Sequence, residues 1–420
     1  MAAPACRIGI VSTRLAGTDG VSLEVVKWVN VLERMGHTCF FFAGECEWPA
    51  ERSYVVPEAH FDFPEILELT SELFDKYKRD PESSRKVDRL KNYLKSHLHK
   101  FVRDFEIRLI IVENALSIPM NIPFGLALTE MIAETGTLTL GHHHDFFWER
   151  SRFATGAADD YLRAAFPPTL HSIRHSVINS FAQRNLALRT GASSLLIPNV
   201  MDFDSPPPEP DGYADDLRES LDIPPDDYFF LQPTRVVPRK RIERAIELTG
   251  RLGQPCTLVI SHASGDEGSR YMDYLREYID LLKVRVVFAE ERFNGVRGKK
   301  PDGTKVYSLA DAHFPANLIT YPSSIEGFGN GFLEAVYYRK PILMSAYEIY
   351  RVDIRPKGFR VIEFEDYITE NIVRKVREVL ENPALAREMA GHNYEVARHY
   401  YSYTNLETIL AAAINLLLGD

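Results

Sequence analysis

The chain has 420 residues, 45% apolar and 26% charged, with a formal net charge of −10. This is globular composition, long enough for two hydrophobic cores, since domains typically hold roughly 100–200 residues. The acidic balance excludes a general affinity for nucleic acid, whose phosphates demand a basic face. Cys6, Cys39, Cys46 and Cys256 form no C-x-x-C pair and no Cys/His spacing that suggests zinc. Such sparse usage fits a reducing compartment. No apolar run approaches the ~20 residues of a membrane helix, and residues 1–6 lack the regions of a signal peptide. A soluble, cytoplasmic protein is expected.

Residues 7–12 (RIGIVS) read as a strand, followed by Gly17-Thr18-Asp19-Gly20 and a helical stretch. There Val21, Val25, Trp28, Leu32 and Met35 recur at three- and four-residue steps, one apolar stripe that ends at Gly36. Residues 38–43 (TCFFFA) are the next strand, which completes a βαβ unit. Its near-continuous apolar strands predict a parallel sheet covered on both faces. Residues 64–105 read as helical, 108–112 and 137–140 as strands, and 194–197 as the strand closing the first sheet. The proline-rich run 206–212 can be neither helix nor central strand and marks the join between domains.

Beyond it the alternation restarts, with strands predicted at 228–231, 257–261, 284–288, 318–321, 341–344 and 360–364. Residues 370–418 read as helical. The fold class is therefore α/β with two Rossmann-like domains, 1–205 and 206–400, and a final helix in 401–420 that crosses back to the first domain. Open α/β sheets bind ligands beyond the carboxyl ends of their strands, so two facing sheets predict an interdomain cleft.

Residues 321–345 (YPSSIEGFGNGFLEAVYYRKPILMS) carry the most chemistry. A strand ends near Pro322, glycines stand at 327, 329 and 331, and a helix begins near Asn330. Glycines let main-chain N–H groups approach a ligand, and the helix start adds its positive end, a place for a diphosphate. Glu326 in the loop and Glu334 one turn into the helix suit the hydroxyls of a hexose and a ribose, because ionised carboxylates only accept. The bland alternative is a strand–turn–helix with exposed glutamates.

This stretch resembles the E-x₇-E segment of glycosyltransferase family 4, retaining enzymes of GT-B fold. The matching residues are Pro322-Ser323, Glu326-Gly327-Phe328-Gly329, Leu333-Glu334-Ala335 and Arg339-Lys340-Pro341, with Arg339 replacing the glycine of the family's G-x-P. Residues 233–242 resemble the family's G-R-L-x-x-x-K-G-I. Arg235 and Lys240 fall on its diphosphate-holding cations, while Thr234 and Arg241 replace its glycines. A solvated basic helix start is the alternative there. Weaker matches are Ile197-Pro198-Asn199, Gly17 with Gly20 in the first glycine loop, and Tyr401-Ser402-Tyr403; Ser261-His262 stands where a G-x-G is usual.

The run Gly141-His142-His143-His144-Asp145-Phe146-Phe147-Trp148 follows a first-domain strand. Adjacent side chains diverge, so no metal site is expected although imidazole and carboxylate suit one. The resemblance implies that His143 or His144 touches the donor hexose, a choice the sequence leaves open. Trp148 suits stacking on a sugar or simple packing. Glu113, Asn114, Asn121, Asp145 and Trp148 are acceptor-side candidates. Residues 76–108 carry eleven Lys and Arg interleaved with acids, a solvated helix face more than a membrane patch.

The resemblance implies retaining transfer from a nucleotide-diphosphate hexose such as UDP-glucose or GDP-mannose to an unidentified acceptor, with no cofactor and no metal. Gly327, Phe328, Gly329, Asn330, Gly331 and Glu334 would bind the donor. Glu326, Arg235, Lys240 and one histidine would serve the reaction. Rival readings are an epimerase or phosphorylase on the same fold, and a non-catalytic sugar-nucleotide-binding subunit.

Overall fold

The computed structural model describes residues 5–17, 19–262 and 269–419. Two compact units emerge, Met1–Val200 with Tyr403–Asp420, and Met201–Ser402. The join thus falls at 200/201, ahead of the expected 205/206. The reason is Phe203, which packs edge-on against Tyr337 and Tyr394 of the second unit at 5.8 and 5.4 Å. The proline-rich run follows it there: the Pro206 carbonyl accepts from the Tyr337 hydroxyl, and Asp211 pairs with Arg297.

The main sheet of the first unit has seven strands, β1 (Arg7–Val11), β2 (Thr38–Ala43), β3 (Ser53–Val55), β4 (Leu109–Glu113), β5 (Leu138–His143), β6 (Ile173–Val177) and β7 (Ser194–Leu196). Their spatial order is β3-β2-β1-β4-β5-β6-β7, all parallel. The main sheet of the second comprises β8 (Tyr228–Gln232), β9 (Cys256–Ile260), β10 (Arg285–Phe288), β11 (Leu318–Tyr321), β12 (Ile342–Ser345) and β13 (Ile362–Phe364). Their order, β10-β9-β8-β11-β12-β13, is also parallel throughout. In each sheet the order reverses beside the first strand, the point where such folds bind ligands.

The apolar stripe read from the sequence is a core face. Val25, Trp28 and Leu32 of the helix Gly20–Arg34 pack on Ile8, Ile10, Phe41 and Leu140, joined by Leu406, Leu410 and Ile414 of the last helix, Tyr403–Leu418. The expected helix at 64–105 is two helices, Pro64–Phe74 and Pro81–Asp104. Pro81 cannot continue a helix but starts one well, and the Asp80 carboxylate caps it by accepting the Glu82 N–H at 2.8 Å. Residues 370–418 form three helices, parted at Asn382 and Ser402. A small sheet of Phe293–Asn294, Gly298–Lys299 and Lys305–Ser308 was not anticipated. Among the described residues no helix is long and apolar enough to cross a membrane.

Strands β3 and β6 were also not anticipated, and β6 shows why. Its sequence, IRHSV, has no apolar alternation, yet His175 and Ser176 are buried. They are tolerated because each finds a partner: Ser176 donates to the Gly141 carbonyl at 3.2 Å. His175 Nε2 lies 3.1 Å from the Pro168 carbonyl and His175 Nδ1 lies 2.9 Å from His143 Nε2. A carbonyl only accepts, so His175 carries its proton on Nε2 and accepts from His143 on Nδ1. Both rings are neutral in this arrangement. Burial holds the His175 imidazole down to about 4, and His143 is pushed down by burial and by its histidine neighbours.

The consequence for pH follows from linkage. The unfolded chain takes up a proton at His175 below about 6.5 while the folded ring refuses it until about 4, so stability falls as pH falls between these values. At pH 5 that single ring accounts for about 2 kcal/mol of lost stability. Thermal unfolding should therefore drop less between pH 7 and pH 5 in His175→Gln than in the wild type. Equal drops would refute the neutral pair.

Candidate active site

In the second unit β11 ends at Tyr321 and the helix Asn330–Tyr337 begins nine residues later. Gly329 precedes the helix at φ +123°, and an added Cβ would lie 2.5 Å from the Tyr347 hydroxyl. Only glycine fits there. The N-cap is Gly329 itself, which brings no side chain of its own to the positive end of the helix.

The segment after β8 brings its cations to the same loop. Ser324 ties the two together, its N–H and hydroxyl both donating to the Arg239 carbonyl at 2.8 and 3.0 Å. Lys240 donates to Glu326, and Arg239 stands 3.9 Å from the second carboxylate oxygen. Lys240 and Glu326 are each only 10% exposed. The Lys240 ammonium also sits 5.4 Å from the Tyr321 ring centre. Burial lowers its affinity for the proton, Glu326 counters, and Arg239 and Arg235 lower it further. Arg235 itself is exposed and makes no ion pair among the described residues. Burial and the charges of Glu326 and Glu334 push the Tyr321 hydroxyl well up, so both glutamates lie within electrostatic reach of one ring.

The departures from the family's glycines acquire reasons. Arg241 adopts φ +47° and Arg339 φ +52°, the left-handed region where glycine is cheapest. Each arginine is compensated: Arg241 donates to the Glu365 and Asp366 carbonyls, and Arg339 lies over the Tyr394 ring at 4.2 Å. Thr234 is held by Gln232 Nε2 at 2.8 Å. His262, noted in the sequence only as a departure from G-x-G, is a neighbour of both cations. Burial, Lys240 and Arg235 hold its ring down to about 4, and Ser261 lies 2.9 Å from its Nδ1.

In the first unit β5 runs further than expected, so His142 and His143 are strand residues and alternate across the sheet. His143 is fully buried and committed to His175. His142 and His144 share the opposite face with Glu113, at the end of β4. His142 Nδ1 lies 2.9 Å and His144 Nε2 3.3 Å from Glu113 Oε2, and the Trp28 ring stacks on His142 at 4.1 Å. Burial works against the Glu113 charge, yet the two imidazoles hold its carboxyl down to about 2. Burial likewise opposes a charge on His144, but the bond to Glu113 prevails and raises it. Of the two candidate histidines, His144 keeps an accessible edge, with 9% of its side chain exposed.

Adjacent residues diverge as expected, but alternate ones converge, so His142 and His144 come together on one face. Ligand-type atoms of Glu113, His142 and His144 lie within 4.8 Å of one another, close enough to surround one ion. Hydrogen bonds already account for that spacing, and a cation would have to displace the protons that make them.

Several acceptor-side candidates have other work. Glu113 is 2% exposed and saturated by its histidines, which closes it to an acceptor. Asn121 caps the helix Ile122–Thr135, accepting the Phe124 N–H at 3.0 Å. Asn114 accepts the His144 N–H at 2.8 Å. Asp145 pairs with Arg150. Trp148 stacks on Phe146 at 4.4 Å and lies under Arg189 at 5.2 Å, the packing reading of that ring.

The first glycine loop is likewise occupied by the chain itself. Glu47 accepts the Gly17 N–H at 2.9 Å, and Asp19 caps the helix that starts at Gly20. Thr18 lies outside the described residues. On the basic stretch, Lys86 pairs with Glu68 and Glu72, Lys91 with Glu130, and Lys95 with Glu130 and Glu134. These three lysines thus face acids of neighbouring helices.

Comparison with known proteins fits this geometry. Residues 214–396 match the family described as Glycosyl transferases group 1. The chain is 32% identical over 385 residues to the mannosylglucosylglycerate synthase of Petrotoga mobilis, covering 84% of this chain and 86% of the relative. It is 29% identical to the protein of that name from Thermotoga maritima, over 97% of this chain and 99% of the relative. Among solved structures, a glycosyltransferase from Rickettsia africae superposes with a TM-score of 0.67 at 13% identity, over 99% of both chains. A sucrose-phosphate synthase from Thermosynechococcus elongatus gives 0.65 at 15% identity, again over 99% of both. HepE from Anabaena, in complex with UDP-glucose, gives 0.65 at 12%, over 98% of this chain and 100% of that one. These structures share the fold, two Rossmann-like domains of GT-B type. The chain belongs to the group 1 glycosyltransferases and is a glycosyltransferase.

Proposed function

We propose that this glycosyltransferase moves a hexose from a nucleotide-diphosphate sugar with retention of anomeric configuration. We further propose, from the names of its relatives, that the sugar is mannose and the acceptor glucosylglycerate. The observation that carries the reading is the Lys240–Glu326 pair in the loop that leads into the glycine-capped helix, with Arg235 free of ion pairs among the described residues. When the glycosidic bond stretches, charge accumulates on the leaving diphosphate. Fixed cations stabilise that charge more in the transition state than in the bound donor, which is the condition for raising rate. The leaving phosphate then takes the acceptor proton on the face it departs from, so no enzymic nucleophile enters. Glu326 addresses the hexose and Glu334 the ribose. The scheme needs neither metal nor cofactor.

Arg235→Ala is the clean test, because an exposed side chain without an ion pair should cost stability within ~0.5 kcal/mol. Turnover should fall by about 10²–10³, the usual loss for one preorganised charged donor. Lys240→Ala should lose as much or more, and it also strips Glu326 of its partner. Near-normal turnover in both variants, with GDP-mannose, UDP-glucose and ADP-glucose each tried as donor, would remove these residues from the reaction.

The two glutamates should separate kinetically. Glu334→Ala should weaken nucleotide binding, since a ribose contact persists through the reaction. Glu326→Ala should chiefly reduce kcat, since the hexose contact tightens as the bond breaks. Wild-type kinetics in both, at limiting and at saturating donor, would exclude the proposed clamp.

A further inference from the structure

The loop that carries Glu326 is clamped at both ends by hydroxyl groups from beyond its own segment. Ser345, the last residue of β12, donates to the Ser323 carbonyl. Tyr347, two residues later, donates to the Phe328 carbonyl at 2.7 Å and is itself buried, 3% exposed. Its ring meets Tyr321 edge-on at 6.4 Å, so the aromatic frame that faces Lys240 also holds this hydroxyl.

The second clamp has a directional consequence. The cis peptide bond among the described residues is Phe166–Pro167, so the Phe328–Gly329 peptide is trans. In a trans peptide C=O and N–H point in opposite directions. With the carbonyl held on Tyr347, the Gly329 N–H is turned away from it, at the N-cap of the helix Asn330–Tyr337. That N–H makes no hydrogen bond among the described residues, although Gly329 is buried. A buried main-chain donor without a protein partner calls for a ligand or water. The hydroxyl and the glycine are also matched in space, since a Cβ at 329 would meet the Tyr347 oxygen at 2.5 Å.

We propose that Tyr347 is a positioning residue for the transfer: its hydroxyl sets the plane of the Phe328–Gly329 peptide and so presents the Gly329 N–H to the donor diphosphate. This rests on the reading that the helix start at Asn330 receives that diphosphate. Sequence reasoning passed over Tyr347 because it lies beyond the last residue of the recognisable motif. Without the hydroxyl the peptide is free to rotate and offer its carbonyl, which repels phosphate.

Tyr347→Phe removes one oxygen and keeps the ring. Calorimetric titration with GDP and UDP, and with guanosine and uridine as controls lacking phosphate, reads the effect. The expected result is an affinity for the preferred diphosphate about 10-fold weaker than in the wild type, with the matching nucleoside unchanged. kcat should fall with it. Gly329→Ala, which displaces the hydroxyl from the other side, should reproduce this phosphate-selective loss and serves if the first variant does not fold. Unchanged diphosphate affinity in Tyr347→Phe would overturn the proposal, as would an equal loss for nucleoside and diphosphate. Failure of the wild type to bind either diphosphate would instead strike the donor reading itself, and the role of Tyr347 with it.

Discussion

A lysine and a glutamate, each nine-tenths withdrawn from water, hold together two segments separated by 86 residues in sequence. Neither charge is comfortable there alone, and removing one partner of such a pair typically costs about 3–5 kcal/mol. Once they face each other, Lys240 fixes the segment after β8 against the loop after β11. Ser324 repeats the connection through the Arg239 carbonyl. The pair is a poor bargain for stability alone, because apolar residues of similar volume often serve as well. What it does is hold a cation and a carboxylate rigidly in the loop that leads into the helix Asn330–Tyr337.

The two units treat their glycine-rich helix starts in opposite ways. In the first, Asp19 caps the helix Gly20–Arg34 and Glu47 takes the Gly17 N–H, so the chain's own carboxylates occupy the positive end. In the second, the N-cap is Gly329, which has no side chain, while Arg239 and Lys240 face Glu326 in the preceding loop and Arg235 lies within electrostatic reach of Lys240. Folds of this class place ligands at strand ends generally. What distinguishes the two here is the N-cap residue, a carboxylate in one and a bare glycine in the other.

That distinction also measures how far the sequence could be read. The parallel order of both sheets and the strand–loop–helix around Glu326 were legible, because continuous apolar strands and glycine spacing are local signals. The short strand β3, the polar strand β6 and the three-stranded insert were not, since tertiary partners rather than propensity sustain them. Glu113 and Asn121 had the position of acceptor contacts but are consumed by His142, His144 and a helix cap. Arg241 and Arg339 looked like defects in a glycine motif. They keep the left-handed backbone and offset its cost with carbonyl and ring contacts, which only coordinates reveal.

Retaining transfer by this route requires that the departing diphosphate and the incoming acceptor meet the same face of the sugar, with side chains and a helix start carrying the charge. Proton NMR of the reaction of GDP-mannose with glucosylglycerate reads that requirement directly, through the one-bond carbon–hydrogen coupling at the new anomeric centre. An α-linked mannoside, formed from the α-linked donor and present from the earliest time points, is the predicted product. A β-linked product would contradict the mechanism, whatever its rate.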